Sequence, residues 1–127
     1  MLRCVFAAFA AILIAAPAAA QLALQRSFPQ HALRGEIVVV QPPDITLNGN
    51  AARLAPGARI RGGDNLLVLS AAVVGTPLRV HYTVDELGLV KDVWVLRDDE
   101  AARPWPKTPD EAARWAFDPV AQVWTRR

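Results

Sequence analysis

The chain has 127 residues, 53% of them hydrophobic, and a formal net charge of +2. A chain this short builds one small domain, which excludes a multi-domain enzyme and a polytopic membrane protein. Bases and acids are interspersed with no basic stripe, and twelve of the fourteen basic residues are Arg in an Ala- and Pro-rich background, so no nucleic-acid partner is expected.

The apolar excess sits at the start. Eighteen of the first twenty residues are apolar; Arg3 and Pro17 are the exceptions. Arg3 supplies a positive n-region, and Val5 to Ala16 form an apolar run too short to span a bilayer comfortably. Ala18-Ala19-Ala20 is an A-x-A site, which places cleavage between Ala20 and Gln21. Residues 1–20 are therefore expected to be a secretory signal. The protein is then periplasmic or secreted, with no stable membrane span after cleavage. The remaining 107 residues are roughly 46% apolar, ordinary for a globular domain. Cys4 leaves with the signal. Without it the domain has no disulfide, no thiol nucleophile and no thiolate metal site.

Residues 21–33 carry Pro29 and no clear period, as in a linker or a segment covering a sheet edge. Residues 34–127 are expected to form a single β-rich domain. Gly35 to Gln41 carries the β-branched run Ile37 to Val40, which predicts a strand buried on both faces and ended by Pro42-Pro43. Ile45-Thr46-Leu47 and Leu54 flank Asn48-Gly49, a hairpin signal. Pro56-Gly57 predicts another turn before a short strand over Ala58 to Arg61. Gly62 to Asn65 turns again, and the apolar run Leu66 to Val74 is assigned as strand because turns bracket it.

Leu78, Val80, Tyr82 and Val84 alternate with Arg79, His81 and Thr83. Leu89 to Leu96 returns. A three-residue loop of Glu86, Leu87 and Gly88, with Gly88 left-handed, pairs Val84 with Val90, Tyr82 with Asp92, Val80 with Trp94 and Leu78 with Leu96. Beyond Arg97, Asp99-Glu100-Ala101-Ala102-Arg103 recurs as Asp110-Glu111-Ala112-Ala113-Arg114. The second copy predicts a helix with Thr108 as N-cap, Pro109 at the first position and an end near Phe117. The first copy predicts one helical turn stopped by Pro104. Val120 to Thr125 is a final strand. The expected fold is mainly β: an antiparallel sheet or small barrel of five to seven short strands with one short C-terminal helix.

The residues offer three chemistries. His31 and His81 have no ligand-like spacing, and His81 is expected to be a solvated strand residue, so no metal and no cofactor is expected. Ser27 and Ser70 lack a nucleophile elbow. A carboxylate site built from Asp85, Asp92 and His81 is the alternative reading, as a small envelope hydrolase or ligand-binding barrel. The aromatics offer the third. Trp94, Trp105, Trp115 and Trp124 crowd the last third, either packing an arm over the sheet or presenting a partner platform of Trp105, Trp115, Phe117 and Trp124. Trp105, between two prolines, is expected to be the most exposed.

From Gly75 onward the chain resembles the C-terminal domain of TonB-type proteins. The resemblance rests on Leu78 to Asp85, Gly88 to Leu96, and Glu111 to Arg114 running into Trp115-x-Phe117-x-Pro119. It implies a sheet whose edge accepts a strand from an envelope protein. The whole chain is also similar to short exported bacterial proteins of unknown function, which implies a location and no chemistry. The expected role is a non-catalytic interaction module, engaging an envelope protein by strand addition or through the Trp arm. A purely structural tether is the remaining alternative.

Overall fold

The computed structural model describes residues 25–127. The expected signal segment 1–20, with Ala18 and Ala20, and Gln21 lie outside the described residues. The first strand, β1 (Leu33–Gln41), stops at Pro42-Pro43 and is followed by β2 (Asp44–Leu47). Asn48 and Gly49 have φ of 53° and 83°, the paired positive values of a type I′ turn. From there β3 (Asn50–Arg61) returns, opening with Asn50 opposite Leu47. After the glycine turn come β4 (Leu67–Val68), a 3-10 turn over Ser70–Val73, β5 (Leu78–Val84) and β6 (Val90–Val95).

Five of these strands close into a barrel. β1 pairs with β2 and β5, β2 with β3, β3 with β6, and β6 with β5. This is the connectivity of a five-stranded Greek-key barrel of the OB type. All pairs are antiparallel except β3–β6, which is parallel and departs from the all-antiparallel sheet expected. Closure leaves β4, hydrogen-bonded to β3 alone, as the strand of this sheet with an open edge.

Closure depends on β3 serving several neighbours. Its first residues pair with β2 and its last with β4 and β6. Pro56-Gly57 was expected to separate two strands, but it lies inside one strand, at a bulge between Leu54 and Arg59. Gly57 takes φ 77°, a left-handed value that favours glycine. Pro56, which has no N–H to offer, stands where the ladder is already interrupted.

The barrel interior is β-branched and aliphatic: Ile37, Val39, Ile45, Ile60, Val80 and Val93 are all buried. β1 is not buried on both faces, because Val40 is 56% exposed. Nor is Leu66 to Val74 a strand beyond Leu67–Val68. An antiparallel continuation from the Ile60–Val68 pair would run onto residues 55–59, where Pro56-Gly57 and the bulge interrupt β3, so only Ile60 and Arg61 pair with β4. The rest turns across the barrel. Val68 and Val73 pack on the core, while Leu66, Leu67, Leu69 and Val74 stay exposed.

The β5–β6 hairpin has the three-residue loop expected. The Asp85 amide donates to the Leu89 carbonyl, the Gly88 amide to the Asp85 carbonyl, and Gly88 has φ 78°. Val84 pairs with Val90. Beyond that pair the expected register fails. Tyr82 faces Val93, His81 faces Trp94 and Val80 faces Val95. Lys91 and Asp92 together oppose Thr83 in a bulge. The Thr83 hydroxyl supports it by accepting from the Asp92 amide at 3.2 Å. The slip has a physical reason. The regular register would have aimed Asp92 into an aliphatic core, an uncompensated charge costing several kcal/mol on the order of a buried ion. The bulge puts Val93 and Val95 inside and turns Trp94 to the outer face.

The C-terminal part lies on that outer face. It comprises α1 (Asp98–Ala101), α2 (Pro109–Arg114) and a second sheet of β7 (Trp115–Asp118) and β8 (Val123–Arg126). Thr108 caps α2 as expected, its hydroxyl accepting from the Glu111 amide at 3.2 Å. The helix ends at Arg114 and not near Phe117. The next four residues extend instead, so that Phe117 pairs with Trp124 across β7 and β8.

Candidate functional site

Chemistry concentrates between the barrel's outer wall and the layer that covers it. Strand alternation sends Val80 and Tyr82 inward and His81 and Thr83 outward. On the neighbouring strand the bulge sends Trp94 outward beside His81. Residues from the segment before β1 and from the C-terminal arm then seal this face. Phe28 and Ala32 precede β1, Trp105 comes from the Pro-bounded loop, and Trp124 comes from β8.

The rings interlock. His81 stacks on Trp105 with centroids 4.2 Å apart, and Phe28 meets His81 edge-on at 4.5 Å. Phe28 also meets Trp94 and Trp105, and Trp124 meets Trp105, Trp115 and Phe117. Trp105 is only 4% exposed, and its indole N–H donates to the Ala32 carbonyl at 2.8 Å. The expectation that Trp105 is the exposed aromatic is therefore corrected. Its flanking prolines shape a loop that drives the ring inward. Trp124 is equally buried, while Trp115 and Phe117 are half-buried. The four residues expected to form a platform are brought together, chiefly as packing of the arm over the sheet.

Beneath the aromatics runs a buried polar network. Arg26 forms an ion pair with Glu100, and both side chains are almost fully buried. Arg26 also donates to the Gly62 and Val95 carbonyls at 2.8 Å each. One side chain thus ties the β3–β4 turn, β6 and α1 together. Glu100 accepts from the Arg97 amide at 3.0 Å and pairs with its guanidinium at 3.5 Å. Arg34 donates to the Glu100 and Ala101 carbonyls at 3.1 Å each, satisfying α1's C-terminal oxygens. The two copies of Asp-Glu-Ala-Ala-Arg have thus diverged in use. Glu111 belongs to a capped helix on the surface, while Glu100 anchors the buried pair.

His81 is 1% exposed, which overturns its expected solvation. It does point away from the barrel core, but the covering layer excludes water from it. Arg34 Nη2 lies 3.2 Å from its Nε2. A guanidinium only donates, so Nε2 accepts and the ring's proton sits on Nδ1. Burial, with the charges of Arg34 and Arg26, pushes its pKa down to about 3, and the ring is neutral at pH 7. Its Nδ1 has no partner among the described residues.

The three residues of the carboxylate alternative do not share a cavity. Asp85 holds its own turn, accepting from the Leu87 and Leu89 amides at 2.9 Å each. Asp92 lies 3.4 Å from the Thr83 hydroxyl and 3.9 Å from Arg61. Both face an open depression with His31 and Lys91. His81 instead lines a separate cavity of about 60 Å³ with Arg26, Phe28, Glu100, Arg103 and Trp105. No set of three or more metal-ligating side chains is gathered among the described residues, and no described helix is long and apolar enough to cross a membrane.

No family model matches the chain, and neither a curated protein nor a solved structure does. Sequence reasoning missed Arg26, Arg34 and Glu100. The signal for Glu100 was present in the repeated motif. For the two arginines there was none, because the partners described above lie 36 to 74 residues away.

Proposed function

We propose that the protein is a non-catalytic interaction module of the periplasm or the secreted fraction, and that an extended apolar segment of an envelope protein adds to the open edge of β4. One observation carries this reading. Leu66, Leu67, Leu69 and Val74 are 48–79% exposed on the segment that contains the barrel's open edge. Val40 is exposed beside them, since Val39 bridges to Val74. Main-chain groups of an unpaired edge supply affinity to an incoming strand, and flanking apolar side chains supply specificity. Contiguous exposed apolar side chains on a soluble domain mark such contacts. The Trp arm contributes through half-buried Trp115 and Phe117, not through Trp105.

The test is site-specific photo-crosslinking in the native envelope, from Leu67 and Leu69 and, as a control, from Val120 on the arm. Crosslinks to one envelope protein from the two leucines, lost in Leu69→Asp with the fold intact, are the expected result. Crosslinks confined to Val120, or unaffected by Leu69→Asp, would reject the β4 edge as the docking site.

A further inference from the structure

One residue of the barrel wall holds two parts of its cover. Arg34 on β1 stands opposite His81 on β5. Its Nη2 donates to His81 Nε2 at 3.2 Å and to the Glu100 carbonyl at 3.1 Å. Its Nη1 donates to the Ala101 carbonyl at 3.1 Å. One guanidinium thus joins the wall to the C-terminal end of α1. The Arg34 backbone amide donates to the Pro106 carbonyl at 2.9 Å, which ties in the Trp105 loop. Trp105 itself stacks on the His81 ring.

This arrangement accepts only a neutral ring. A guanidinium has no lone pair to offer, so Nε2 must be the acceptor. A proton on Nε2 would set two donors against each other at the same 3.2 Å. The new charge would find no acceptor on the other side, because Nδ1 has no partner among the described residues.

The surrounding charges are unfavourable as well. The segment before β1 brings Arg26 and the Trp105 loop brings Arg103. Arg79 of β5 is close enough to act on Arg34. On the side of α1 stand Arg97, Asp99 and Glu100. Glu100 already serves Arg26 and Arg97, and Asp99 is exposed and bonded to Arg97. From β6 the ring's neighbour is Trp94, and Asp92 turns instead to Thr83 and Arg61.

We propose that His81 and Arg34 form an acid-sensitive latch: a proton taken from solvent onto His81 Nε2 displaces the Arg34 guanidinium, and α1 and the Trp105 loop then part from a barrel that stays folded. Burial and the charges of Arg34 and Arg26 hold the closed ring at about 3, whereas a ring freed of its cover returns to the ordinary 6.5. Protons therefore bind the open form, and the ratio of open to closed rises about 25-fold between pH 7 and pH 5. Such an opening is local and costs less than global unfolding. The latch does not depend on what β4 binds.

The experiment is hydrogen exchange of the purified protein at pH 7 and pH 5, with each rate corrected for its intrinsic pH dependence. The reporters are the Arg34 amide and the Trp105 indole N–H, which donate to the Pro106 and Ala32 carbonyls. The reference is the slowest amides of β5 and β6. The reporters are expected to be less protected than the reference at both pH values, and to lose about 25-fold in protection between them. In His81→Gln the side-chain oxygen still accepts from Arg34 but does not titrate, and the loss should shrink below about threefold. His31, the chain's other histidine, lines the separate open depression, and His31→Gln should retain the full loss. If His81→Gln does not fold, that variant decides. Reporters and reference sharing one protection factor would overturn the proposal, because the cover would then open only with the barrel. So would the absence of a loss between pH 7 and pH 5, an undiminished loss in His81→Gln, or a loss abolished in His31→Gln. None of these outcomes bears on crosslinking at β4.

Discussion

The molecule has two cores, and they are built on different principles. Inside the barrel, β-branched residues spaced two apart along neighbouring strands fill the space, with Val39 and Val80 fully enclosed. Outside it, Phe28, Trp94, Trp105 and Trp124 are assembled from chain segments up to 96 residues apart and are bound together by the Arg26–Glu100 pair. The first core follows from strand periodicity. The second exists only once the barrel presents a wall to pack against. One strand pair serves both, and the bulge at Thr83, Lys91 and Asp92 divides its side chains between them.

The largest effects should separate the cores. Glu100→Ala leaves Arg26 charged and buried, and unfolding is expected to become easier by about 3–5 kcal/mol in urea titrations. Trp105→Ala should cost a similar amount, about 3–5 kcal/mol, because it removes the central ring of the outer layer. Near-UV circular dichroism should collapse in that variant while the far-UV strand signal persists. If both signals vanish together, the barrel depends on its cover and the two cores are one cooperative unit. Ile37→Ala, inside the barrel, should cost about 2–5 kcal/mol and lose both signals in a single transition.

Acid provides a sharper probe of the outer core. The folded His81 ring titrates at about 3 and an unfolded ring at 6.5. Between those values the unfolded chain binds the extra proton, so stability is full above about pH 6.5 and falls as pH drops toward 3. The loss from this group is on the order of 4 kcal/mol at its lower limit. Urea unfolding at pH 7, 5 and 4 should show it, and His81→Gln should flatten that part of the profile. An equal slope in the variant would show that the ring is not buried neutral.

Two smaller effects test the parting line and the exterior. Thr83→Val removes the hydroxyl that accepts the Asp92 amide and should cost about 1 kcal/mol. Leu69→Asp, on the exposed ledge, should change stability by no more than about 0.5 kcal/mol. A large loss there would mean that the leucine is structural and would weaken the case for a docking surface.

Much of the barrel follows from local sequence. Asn48-Gly49 specified the β2–β3 turn because only a left-handed pair makes it. Alternation from Leu78 to Val84 specified β5, and Gly88 set the loop that follows. Thr108 and Pro109 placed the start of α2. Each of these is a local property, readable from neighbours in the chain. Asp92 in an otherwise inward column was the one available sign of the bulge, since a lone carboxylate does not enter an aliphatic core. Tertiary structure decided the remainder. Pro56-Gly57 bends a strand and does not end one, because β3 must reach several partners. Leu66 to Val74 is mostly not strand, because the stretch of β3 it would pair with is broken by the Pro56-Gly57 bulge. Trp105 and His81 are buried, and Arg26 finds Glu100, because the segment before β1 and the C-terminal arm meet on the barrel's outer wall. Those contacts are long-range, and no window of sequence contains both partners.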